Sequence, residues 1–80
     1  MDKDLARHIA RIGFSCMSHL TDLLPLLKTH CDIAEYDAYR KAIATVAGHI
    51  SVEIINKALS PYPDLEKEIE SKVEKYGVVI

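Results

Sequence analysis

Cys16, His19, His30 and Cys31 are the residues of this chain whose types suit metal binding, and they bracket one apolar stretch, SCMSHLTDLLPLLKTHC. A thiolate or imidazole must come within about 2.0–2.3 Å of a zinc ion to ligate it. Cys16 and His19 stand one helical turn apart and can share an ion. The other spacings work against convergence. His8, His19 and His30 recur every eleven residues, which aligns them on a straight helix with ~16 Å between neighbours. Cys16 and Cys31 are separated by ~22 Å of helix, beyond the reach of a disulfide. His30 and Cys31 are adjacent and point in different directions. Structural zinc motifs bring two close ligand pairs together through a loop. A second pair arrives here only if Pro25 folds the helix back or another subunit supplies its own Cys16 and His19. The stretch therefore reads as an apolar helix, with Cys16 on the Ile9, Ile12 and Leu20 face and the two histidines flanking it.

Two further groups suit chemistry by type. His49 and Glu53 are one turn apart, the spacing of a proton-transfer pair or of two metal ligands. Helical-bundle metal sites add a Glu-x-x-His on two helices and further carboxylates, and the sequence holds no such set. Tyr36, Tyr39 and Arg40 combine aromatic and cationic side chains as a partner surface would. The competing reading packs both rings on the core face with their hydroxyls wet. There is no glycine-rich phosphate loop, no Gly-x-Ser-x-Gly elbow and no Cys-x-x-Cys, so neither an enzyme nor a cofactor is expected.

The elements that position these residues follow from periodicity. Apolar residues at Leu5, Ile9, Ile12, Cys16, Leu20, Leu23, Leu24 and Leu27 step by three and four, which predicts a first helix over about 3–31. Pro25 disfavours helical geometry in the residue before it and removes one backbone bond, so a kink or break is expected around Leu20 to Leu24, with Thr21 or Asp22 capping the restart. Asp32 and Glu35 form a capping-box pattern at the start of a second helix, 33–59. Its main stripe is Tyr36, Tyr39, Ile43, Val46, Ala47, Ile50, Ile54 and Ala58. A second side carries Ala44, Gly48, Ser51, Ile55 and Leu59, as in a central helix with several neighbours. Pro61 and Pro63 end it, and a third helix over about 62–76 follows, with Leu65, Ile69, Val73 and Tyr76 on one face and Glu68 and Lys72 spaced to pair. Gly77 reads as its C-cap and Val78-Val79-Ile80 as a short apolar tail.

Composition sets the outer bounds. Eighty residues with 49% hydrophobic and 28% charged side chains suit one folded domain with a small core. Twelve acids and ten bases are scattered, without the clustered Lys and Arg that neutralise phosphates, so no nucleic acid is expected. The longest uncharged interior run, Ala42 to Val52, falls short of the ~20 residues of a membrane span, and no signal peptide is recognised. A cytoplasmic location with free thiols is the expectation.

These elements predict an all-α fold: an antiparallel hairpin of two long helices, each ~40 Å, and a third helix of only ~20 Å. Half of the hairpin's apolar seam then stays uncovered, which points to a homodimer in a four-helix-type bundle. The expected role is a non-enzymatic interaction or regulatory module whose partner is a second copy of itself. The alternative is a metal- or small-ligand-binding helical protein that uses its Cys and His side chains.

Overall fold

A computed structural model describes residues 1–77, and these are all-α. The expected tail Val78-Val79-Ile80 lies outside the described residues. Asp2 caps α1 (Lys3–Thr21): its carboxylate accepts the Leu5 N–H at 2.8 Å, satisfying one of the donors that a helix start leaves free. The chain turns at Asp22, whose backbone stays helical (φ −64°, ψ −19°), and α2 (Leu23–His30) follows at once. Pro25 is thus the third residue of α2, in a first turn where its missing N–H costs little. Neither of the expected side-chain caps forms. Asp22 makes no capping bond, and the Thr21 hydroxyl donates to the Ser18 carbonyl at 2.9 Å.

Cys31 is extended (φ −109°, ψ 156°) and separates α2 from α3 (Ile33–His49). The capping box forms there: the Glu35 N–H donates to Asp32 at 2.8 Å, and the Asp32 N–H donates to the Glu35 carboxylate at 3.4 Å. The expected single α-helix over 33–59 is corrected by the structure. After α3 the backbone widens into a π-helical segment, Ile50–Ile55, before it returns to α-helix in α4 (Asn56–Leu59). A π turn steps by five residues instead of four. The inward stripe that runs through Ile43, Ala47 and Ile50 therefore continues at Ile55, and Ile54 is rotated to the flank, where it is 47% exposed.

Pro63 opens α5 (Pro63–Tyr76) at its first position, and Gly77 closes it in the left-handed conformation (φ 76°), donating to the Val73 carbonyl at 2.8 Å. Leu65 and Ile69 of α5 are buried with Ala6 and Ala10 of α1 and with Ile55, Ala58 and Leu59. Arg7 bridges to Glu68 at 3.4 Å, Lys3 pairs with Asp64, and the Tyr62 hydroxyl donates to the Met1 carbonyl. Lys72 reaches Glu68 at 3.7 Å, as its spacing suggested. The core thus sits where α5 braces the beginning of α1. Beyond it α1 lies along the π-helical segment and α2 along α3, and there Ile43 is buried outside the main cluster. The molecule is long and thin, 45 × 25 × 14 Å, and its shortest dimension is little more than one helix diameter.

Candidate functional site

Helix α1 has two faces that compete for the interior. One carries large side chains, Leu5, Ile9, Ile12 and Cys16, and was expected to form the core. The other carries Ala6, Ala10 and Gly13, and it is this face that is buried. Leu5 is 47% and Ile12 50% exposed, and Cys16 is exposed as well, which corrects its expected place in the core. Close approach is the physical reason. A Cβ built on Gly13 would lie 2.7 Å from Cγ1 and 3.0 Å from Cδ1 of Ile55, well inside the 3.5–4.0 Å of ordinary carbon contact. Small residues let the backbones of α1 and the π-helical segment meet, and the large face is left beside the contact. The stripe Ala6-x-x-x-Ala10-x-x-Gly13 is the signal that would have disclosed this from the sequence.

The displaced apolar face forms one wall of a groove, and Ile50 and Ile54 form the other. His8, Ile9, Ile12, Gly13 and Cys16 complete a hollow of ≈ 420 Å³ with no Lys, Arg, Asp or Glu in its lining. A second hollow of ≈ 550 Å³ opens on another flank of α1, between Phe14, Met17, Ser18 and His19 and the Val73–Gly77 end of α5.

The residues singled out for metal chemistry are not gathered. Cys16 lines the first hollow and His19 the second. His30 is exposed in the last turn of α2, and Cys31 is half-buried at its C-cap. Among the described residues no three His, Cys, Asp or Glu side chains come close enough together to hold a metal ion. His49 ends α3 and Glu53 lies in the π-helical segment; both are exposed.

Tyr36 is half-buried, while Tyr39 and Arg40 are exposed on α3. The Arg40 guanidinium is already engaged: Nη2 donates to Asp37 at 2.9 Å and Nε at 3.3 Å, with Lys41 3.6 Å from the same carboxylate. The hydrogen bond from Arg40, then its charge and that of Lys41, hold the Asp37 carboxyl below its usual range. Cation–π contact among the described residues is made by Lys75, 5.1 Å from the Tyr76 ring centre.

The apolar groove is thus the feature with a defined shape and chemistry: two aliphatic walls, Gly13 in its lining and no Lys, Arg, Asp or Glu. No helix among the described residues is long and apolar enough to cross a membrane. Compared with known proteins, the chain matches no family model, and neither a curated protein nor a solved structure matches it.

Proposed function

We propose that this chain is a small, non-enzymatic interaction or regulatory module that acts as a homodimer. In this reading α1 with α2, and α3 with its π-helical and α4 continuation, are the arms of an antiparallel hairpin, and two hairpins form a four-helix-type bundle. The observation that carries the reading is surface area. The chain exposes 5695 Å² at a mass of 9.0 kDa, whereas a compact monomer of that mass exposes about 4,850 Å². The excess, about 850 Å², matches the ~800 Å² that each partner buries in a standard protein interface. Large apolar side chains contribute to the exposed surface, among them Leu5, Ile12, Leu26, Ile33, Val46 and Ile54. Removing such side chains from water stabilises association by ~25 cal/mol per Å² before the costs of docking.

Sedimentation equilibrium at micromolar concentration tests the proposal. About twice the 9.0 kDa chain mass is expected. A single 9.0 kDa species that nevertheless melts cooperatively would refute it.

A further inference from the structure

We infer that the groove between α1 and the π-helical segment is the docking surface for a second copy of this chain, in a twofold contact centred near Ile12; the inference rests on the homodimer reading above. A twofold contact must be self-complementary: if residue i meets residue j of the other copy, j must meet i. The large apolar stripe of α1 meets that condition when two copies of the helix cross antiparallel. Leu5 of one copy then lies opposite Leu20 of the other, Ile9 lies opposite Cys16, and Ile12 sits beside the axis at the midpoint of Lys3–Thr21. The groove lining has no Lys, Arg, Asp or Glu and a single histidine, His8, so little in it complements an acidic or basic ligand. What it complements is another aliphatic surface. Ile54 supplies one: the five-residue step of the π turn brings it out of the core, and it stands 47% exposed at the groove. The whole chain exposes about 850 Å² more than a compact chain of its mass, the area one partner of a stable pair buries, and Ile12 and Ile54, each about half exposed, bring part of it to the groove.

Cys16 reports on this face without alteration of the groove. In a Cys31→Ser variant, which leaves Cys16 as the one thiol, its alkylation by iodoacetamide is followed below and above the association range, with the mass measured in parallel. The rate is expected to fall about tenfold when nine chains in ten are paired, because only the free chain exposes the thiol. Alkylation that stays equally fast while the mass doubles would overturn the inference and leave the homodimer reading standing. A chain that stays at 9.0 kDa throughout defeats both. As a second arm, Ile54→Glu should remain helical but sediment as a monomer, whereas Val52→Glu, at a 60% exposed site outside the groove, should still pair. An Ile54→Glu protein that dimerises like the parent chain would also overturn the inference.

Discussion

Replacing Gly13 and Gly48 by alanine, one at a time, should move stability in opposite directions. Both glycines lie inside helices, where alanine is favoured by about 0.8–1.0 kcal/mol. Gly48 is exposed and a Cβ there meets nothing within 4 Å, so Gly48→Ala should gain that amount. At Gly13 the same methyl group would enter 2.7 Å from Cγ1 of Ile55 and 3.7 Å from Cγ2 of Ile50. Cγ1 is the branch of a stiff side chain, not its far end, and Ile55 is only 2% exposed. It has no room to turn away, so the two helical segments must separate. Overpacking of this kind costs about 1–3 kcal/mol, which outweighs the helix gain and leaves Gly13→Ala about 1 kcal/mol less stable than the parent. The gap between the two variants is then about 2 kcal/mol. At about 4–8 °C per kcal/mol for a domain of this size, their Tm values should differ by about 8–16 °C. Circular dichroism melts read this directly, at one protein concentration because a dimer's Tm depends on it. If both alanines raise Tm equally, α1 does not approach Ile55 as described, and the explanation for its buried small face fails.

Leu65 is fully buried, so Leu65→Ala should cost about 2–5 kcal/mol in urea unfolding, a large share of the ~5–10 kcal/mol such a domain holds. Pro25→Ala should change stability by less than about 1 kcal/mol, far below the ~3 kcal/mol of an interior proline, because Pro25 occupies a first turn; a larger rise would show that α1 and α2 strain to form one helix. Asp64 is solvent-exposed and titrates below its ordinary value of 3.8, chiefly through the hydrogen bond from Lys3. Its folded form is the stronger acid, so its contribution is present at neutral pH and is lost as pH falls below about the ordinary carboxylate range. Asp64→Asn should therefore lose less Tm than the parent between pH 7 and pH 3, by a margin that salt erases. Protein purified without added metal should contain no stoichiometric zinc, iron, nickel or copper, and a chelator should leave Tm unchanged. A site filled at ~100 times its dissociation constant would instead show about 2.7 kcal/mol of chelator-sensitive stability.

Local features were legible where local chemistry decides them. The reciprocal Asp32 and Glu35 bonds, Pro63 at the first position of α5 and the left-handed Gly77 follow from side chains within four residues of one another. So does the all-α content, since steps of three and four leave no strand pattern. The groove was half legible: its α1 wall, Ile9, Ile12 and Cys16, belongs to the stripe that hydrophobic periodicity selects, but periodicity assigned that stripe to the core. Which face of a helix turns inward is decided by what it meets. Here Ala6, Ala10 and Gly13 allow a backbone approach that the larger side chains would block, and Ile55 fills the space left by the missing Cβ of Gly13. The π turn at Ile50–Ile55 belongs to the same class of fact. Its composition suits an α-helix equally well, and the extra residue is accommodated because it carries the inward stripe from Ile50 to Ile55 against α1. A sequence states the spacing of side chains along one helix; the register between two helices exists only once both are packed, because it is set by which atoms collide.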